Sequence, residues 1–294
     1  MSLSKFLDPK NDIAFRKIFG SEKHKDILIH FINDILGFTG DNAIQQVTFL
    51  PTVQDPDIAS KKQSIVDVLC KDAKGVQIIV EMQVAPTKGF EKRAQFYASK
   101  AYCGQLNKGQ EEDGLYHNLK EVIFIAIADY VMFPEKKRYK SDHVLLDKED
   151  HSHDLKDFSF TFIELPKFKK KKIEQLETII ERWCYFFKYA SETSEQDLEQ
   201  LAASDLVIKD AYEALNQFNW TEAELLAYDQ EIKRIRDNRA ALEYQIDKAK
   251  AEGREEGREE GIEQVAKNLL KQGLSIDAIA KATGLSPAKI RQLQ

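Results

Sequence analysis

Two carboxylates and an amide, Asp67, Glu81 and Gln83, fall within the stretch from Ser64 to Val84, SIVDVLCKDAKGVQIIVEMQV. Hard oxygen donors of this kind suit Mg2+ or Mn2+. Whether they can act together depends on the backbone that carries them. β-branched residues flank Asp72-Ala73-Lys74-Gly75, which predicts two strands joined by a three-residue loop, with Gly75 where the loop needs a positive φ. That loop sets Asp72 opposite Val76, and stepping outward in pairs sets Asp67 opposite Glu81 and Ile65 opposite Gln83.

The period of two then sorts the side chains. Val66, Val68, Cys70, Val76, Ile78, Val80, Met82 and Val84 share one face, the expected core, while Asp67, Glu81 and Gln83 share the other with Ile65, Leu69 and Ile79. Directly opposite residues have Cβ atoms only ~5 Å apart, so the two carboxylates either repel or share a cation. A divalent metal is the economical compensation, and the lack of His or Cys on that face argues against zinc. On the hairpin alone, a solvent-facing sheet side bearing ordinary Glu and Gln accounts for the pattern as well.

Asp67 followed by Glu81-x-Gln83 resembles the PD-(D/E)XK nuclease signature in a variant with Gln in place of the last Lys. Asp8-Pro9-Lys10-Asn11-Asp12-Ile13-Ala14-Phe15-Arg16-Lys17-Ile18-Phe19-Gly20, then Glu81-Met82-Gln83, then Arg93-Ala94-Gln95-Phe96-Tyr97 are similar in order and spacing to the Rpn family of recombination-promoting nucleases and transposases. The resemblance runs from about Leu7 to Phe168, with family-like features again at the C-terminus. It implies an α/β fold, a restriction-endonuclease-like mixed sheet flanked by helices, followed by an α-helical C-terminal region. It also implies a Mg2+-dependent (or Mn2+-dependent) endonuclease acting on double-stranded DNA in the bacterial cytoplasm. Asp67, Glu81 and Gln83 become the catalytic candidates, Asp67 and Glu81 the metal ligands, and Asp12, Arg93 and Tyr97 accessory candidates. Asp12 reads equally as an exposed acid favoured at a helix start. Arg93 and Tyr97, four apart on a helix, suit a phosphate beside the metal, or an Arg lying over an aromatic core residue.

The rest of the chain must hold these groups. At 294 residues, 43% hydrophobic and 31% charged, it is long enough for one main domain with appendages. No 18-residue apolar run and no leader-like N-terminus appears, so a cytoplasmic protein without a membrane partner is expected. Cys70, Cys103 and Cys184 are widely spaced and read as buried thiols. A net charge of −6 requires any DNA contact to come from a local basic patch.

Helices are predicted over Asp12 to Phe19 and Ile27 to Leu36, the latter stopped by Gly37. A strand follows from Ile44 to Val53, near Pro51 and Pro56, then a helix from Gly89 to Leu106 and a doubly buried strand from Glu121 to Ala128. Further strands are expected at Val144 to Leu146 and Phe158 to Leu165, and a helix from Ile173 to Ala190. His151 and His153 read as loop residues. Lys169, Lys170, Lys171 and Lys172 belong to the basic run KFKKKK, which suits a phosphate backbone or a solvated helix start.

In AEGREEGREEG, Gly253, Gly257 and Gly261 recur every four residues, each costing a helix roughly 1 kcal/mol. A frayed linker is expected there, with a self-associating helix as the alternative. Ala280, Gly284 and Ile290 match helix-turn-helix spacing, and Lys289 and Arg291 are DNA-binding candidates in a segment that suits DNA reading or a structural cap. The expected divisions are a nuclease-like core over 1–168, a helical extension over 169–230, a charged helical linker over 231–262 and a helix-turn-helix-like tail over 263–294, with a homo-oligomer in view. Gln83 keeps a second class of function open: a nuclease-like DNA-binding or self-assembling protein with little or no cleavage. A partner-binding regulator built on the helical half is a third.

Overall fold

The computed structural model describes residues 5–54, 64–106, 116–203 and 205–293. The chain opens with α1 (Asp12–Phe19), started by the Asn11 side-chain oxygen accepting from the Ile13 and Ala14 N–H groups. Next comes α2 (Lys25–Leu36), ended by Gly37 at φ +70°. Then follow β1 (Val47–Phe49), β2 (Val53–Gln54), β3 (Ser64–Ile65), β4 (Val68–Asp72), β5 (Gln77–Gln83), α3 (Phe90–Cys103), β6 (Val122–Ala128), β7 (Lys140–Val144) and β8 (Phe158–Glu164). Helices complete the chain: α4 (Ile179–Tyr189), α5 (Glu195–Ala202), α6 (Leu206–Leu215), α7 (Glu222–Lys271), α8 (Ile276–Thr283) and α9 (Pro287–Gln292). Two compact units result, Met1–Glu231 and Ile232–Gln294.

In the first unit the six-stranded sheet runs β1-β4-β5-β6-β8-β7. Its middle strands β5, β6 and β8 are parallel, and β1, β4 and β7 join antiparallel. All of β6 is buried, as its unbroken apolar run requires between two parallel neighbours. One sheet face is covered by α3, whose Phe90, Ala94, Ala98 and Ala101 pack with Leu69, Ile79, Phe124 and Ala126. The small alanines let the helix lie close to the strands. Elsewhere α1, α2, α4 and α6 pack together around Phe15, Phe19, Phe31, Trp183 and Phe187, ring against ring.

The β4–β5 hairpin keeps the expected register, Val68 opposite Val80 through Lys71 opposite Gln77. Gly75 sits at φ +87°, and the Asp72 N–H donates to Val76 O at 3.0 Å. Further out the expectation fails. Ile65 belongs to β3 and pairs with Val53 instead of Gln83, because the chain bends at Asp67. The bend turns Val66 into the cluster with Leu69 and Ile79 rather than onto the face of Val68. The carboxylate side of the hairpin is not solvent-facing, since α3 covers it.

Other boundaries move for local reasons. The strand predicted from Ile44 divides into β1 and β2 around Pro51, while Pro56 lies outside the described residues. The edge strand β7 begins at Lys140, ahead of the apolar residues that suggested it. The helix expected from Ile173 starts at Ile179, where Thr178 and Glu181 form a capping box. Cys70 and Cys184 are buried, but Cys103, the last residue of α3, is exposed. His151 and His153 lie in a loop.

In the second unit α7 continues through all three glycines, so no frayed linker interrupts it. Its last turns pack on α8 and α9 through Ala266, Ile279 and Ile290. Ser275 and Ser286 cap the two short helices, and Gly284 turns between them at φ +75°.

Candidate active site

The bend at Asp67 brings the two acids into reciprocal contact. The Met82 N–H donates to Asp67 Oδ2 at 3.0 Å, and the Asp67 N–H to Glu81 Oε1 at 3.3 Å. Each carboxylate thus accepts from the other strand's backbone. Glu81 is only 5% exposed. Burial pushes its pKa well above the ordinary carboxylate value, the Asp67 charge pushes the same way, and Arg93 opposes. The other oxygen of Asp67, Oδ1, accepts from Arg16 Nη2 at 3.1 Å. Arg16 is a residue to which spacing alone assigned no role. It sits one turn after Asp12 on α1.

Gln83 is engaged on every side. Its Oε1 accepts from Arg93 Nη2, and its Nε2 donates to Ala85 O at 3.0 Å and Thr87 Oγ1 at 3.4 Å. Arg93 comes from α3, with its guanidinium carbon 4.8 Å from the centroid of Phe90 and 5.8 Å from that of Tyr97. The guanidinium plane of Arg93 thus lies over aromatic rings, as one reading expected, and its head reaches Gln83. Its buried Nε has no hydrogen-bond partner among the described residues. Tyr97 keeps its proton more tightly than a free phenol, first through burial and then through the charges of Glu81 and Asp67, against Arg93. On the neighbouring strand's end, the Asp129 N–H donates to Gln83 O at 2.9 Å, and Asp129 receives Lys10 Nζ at 2.9 Å. The cluster thus lies at the carboxyl ends of the parallel strands, where open α/β sheets place their sites.

A family model described as PD-(D/E)XK nuclease family transposase matches residues 9–245. The chain belongs to this family. A second model, the C-terminal HTH domain of the Rpn/YhgA-like nuclease family, matches residues 259–294 and coincides with the last turns of α7, α8 and α9. Comparison with curated proteins and with solved structures finds no match. Membership of the PD-(D/E)XK nuclease family agrees with the mixed sheet and flanking helices, a restriction-endonuclease-like α/β fold.

Most of the predicted DNA-contacting residues have partners of their own. Lys170 is bound to Glu181 at 2.7 Å, and Lys169 donates to Pro166 O at 2.7 Å. Lys171 and Lys172 are exposed, and their backbone N–H groups donate to Gln175 Oε1. Within the basic run only part of the charge faces solvent. Lys289 and Arg291 lie on α9 of the second unit, with Lys289 paired to Glu263 at 2.9 Å and Arg291 exposed. No helix among the described residues is long and apolar enough to cross a membrane.

Proposed function

We propose that this nuclease-family protein is a metal-dependent DNA endonuclease in which Asp67 and Glu81 hold Mg2+ or Mn2+. The reciprocal carboxylate pair carries this reading. One acid is buried with its charged form disfavoured, and the other already has a guanidinium standing in for a cation at Oδ1. Among the described residues no group of three or more His, Cys, Asp or Glu is placed to hold a metal ion. Two carboxylates with water and phosphate oxygens are what Mg2+ ordinarily accepts, so the donor set fits. When bound, the ion would neutralise the pair, draw charge from the scissile phosphate and acidify the attacking water.

The chain's own groups divide the remaining work. Gln83, lacking the ammonium of the usual motif, orients Arg93, and the Arg93 guanidinium supplies the positive charge to a phosphate oxygen. Tyr97, held protonated, offers a hydroxyl donor on the same helix. Asp12 and Arg16 approach from α1 as accessory groups. The tail, with Lys289 and Arg291 on α9, supports double-stranded DNA as the substrate, its cations meeting backbone phosphates. On the first unit, the exposed lysines Lys171 and Lys172 offer cations of their own to backbone phosphates.

A supercoiled plasmid incubated with Mg2+ tests the reading: wild type should nick it and Asp67→Ala should not. Equal conversion by the two proteins would remove the catalytic assignment. Gln83 in the Lys position favours a second reading, a nuclease-like protein that binds DNA without cutting, and DNA binding with no metal-dependent nicking would select it.

A further inference from the structure

Residues 236–261 of α7 are all exposed. Three glycines weaken this stretch as a helix, and its ion pairs one turn apart, Arg239 with Glu243 and Lys248 with Glu252, restore only a fraction of that loss. Yet its apolar residues are ordered. Ile232, Ile235, Leu242, Ile246 and Ala249 fall at alternating steps of three and four, with Arg239 the one polar residue in the series. This is the a and d pattern of a coiled coil. Two of its members stand well open to solvent, Leu242 at 57% and Ile246 at 42%.

We propose that α7 from Ile232 to Gly253 forms a parallel two-stranded coiled coil with a second copy of this chain. The pattern itself selects the occupant, because a heptad seam is complementary to its own copy. Ile232 and Ile246 take a positions and Leu242 a d position, the combination that favours two strands; Ile235 is the one β-branched d residue, and the polar Arg239 at a fixes the oligomer state.

Flanking charges choose the direction. In the parallel arrangement Glu231 of one copy meets Arg236 of the other. The later flanking pairs, Asn238 with Glu243, Gln245 with Lys250 and Glu252 with Gly257, contain no like charges. Turned antiparallel on the same seam, with Arg239 beside the second copy's Leu242, Arg236 would face Lys250 and Glu243 would face its own counterpart. Arg239 meets its own copy across the parallel seam, which costs stability and fixes the register. Glu243, accepting from its Nε at 2.9 Å, reduces that cost. The glycines, recurring at steps of four, drift off the seam after Gly253. A parallel pair would also carry both C-terminal helix-turn-helix units at the same end, as recognition of a symmetric DNA site requires. That consequence rests on the DNA-binding reading above, whereas the seam does not.

Sedimentation equilibrium of the full chain, with no DNA or metal, tests the seam over a micromolar concentration series. Wild type should be dimeric, and Leu242→Glu/Ile246→Glu should weaken association by about 100-fold or more with the first unit's thermal transition unchanged. Arg239→Leu should tighten association by about tenfold, a change in the opposite direction that no folding defect would imitate. Oxidised Arg239→Cys should give a covalent dimer above the background of wild type, whose Cys103 is exposed. A monomeric wild type, or a double Glu variant as dimeric as wild type, would overturn the seam. A dimer that Arg239→Cys does not cross-link would overturn its parallel register.

Discussion

Replacing Glu81 by Gln should raise the stability of the metal-free protein. The carboxyl is 5% exposed, and its Oε1 accepts from the Asp67 N–H. A Gln keeps that oxygen and brings an NH2 group to the Asp67 carboxylate. Removing a like charge beside the Asp67 carboxylate is worth about 0.2–1 kcal/mol, as for neighbouring like charges on a sheet. A hydrogen bond to a charged acceptor adds about 1.5–3 kcal/mol. Losing the attraction of Arg93 offsets part of this, leaving a gain of about 1–3 kcal/mol. In a unit of this size that is a melting-temperature rise of roughly 3–10 °C.

The pH dependence follows from the direction of the Glu81 shift. Its folded pKa lies above the ordinary 4.5, so its contribution to stability is greatest in acid and is lost as pH rises through the raised value. The gap between variant and wild type should be small below the ordinary value and widen toward neutral pH. Thermal melts in EDTA across pH measure it. With Mn2+ at about one hundred times its dissociation constant, wild type should gain about 2.7 kcal/mol, or roughly 5–10 °C, and the variant much less. A metal-free variant melting several degrees below wild type at neutral pH would make Glu81 a structural ion-pair partner. Equal Mn2+ shifts in both proteins would place the ion elsewhere.

Arg16→Gln should tighten Mn2+ binding by about two- to fivefold, the worth of a partly exposed ion pair with the ligand oxygen, as calorimetric titration would show. Weaker binding would mean that Arg16 holds Asp67 in its ligating position. Gly75→Val should cost about 1–2 kcal/mol, because the loop needs φ +87° and a Cβ there would lie 3.2 Å from Lys120 Cγ. Denaturant melts of the first unit would detect it, and an unchanged midpoint would refute the loop's role in fixing the register. Ile290→Ala, at a position with no exposed surface, should cost about 2–4 kcal/mol and open the helix-turn-helix to proteolysis while the first unit melts as before. A tail as resistant as wild type would show that Ile290 is not its keystone.

Much of the fold was legible because it is written in short periods. The alternation in β4 and β5, the unbroken apolar run of β6 and the Gly37 stop of α2 each depend on neighbours a few residues away, and Gly75 fixed the hairpin register locally. The bend at Asp67 was not legible. It depends on the Asp67 carboxylate taking the Met82 N–H, a contact between side chain and backbone that alternation of types cannot express, and it redirects both Val66 and Ile65. The start of β7 was hidden for another reason, since an edge strand reading KSDHV carries little apolar signal. Continuity of α7 through its glycines went against local propensity, which is a weak prior for a helix whose neighbours outside the chain are unknown to the sequence.

The candidate site divides along the same line. Asp67, Glu81 and Gln83 were singled out as candidates because one hairpin carries them at fixed steps. Arg16 was missed because it approaches from another helix, and only the packing of α1 near the sheet makes it a partner of Asp67. Arg93 was singled out through its spacing to Tyr97, but its bond to Gln83 was not legible in the sequence. A Lys on β5 would bring its own charge to the end of the strand. A Gln can bind in two directions, and here it accepts from the Arg93 guanidinium while its NH2 is fixed by Ala85 and Thr87. The cation is thereby transferred from the strand to α3, where Phe90 and Tyr97 hold its plane. On the proposed reading, that arrangement supplies a positive group beside Glu81 without placing an ammonium on the strand, so an amide in place of the amine would relocate the charge instead of abolishing it.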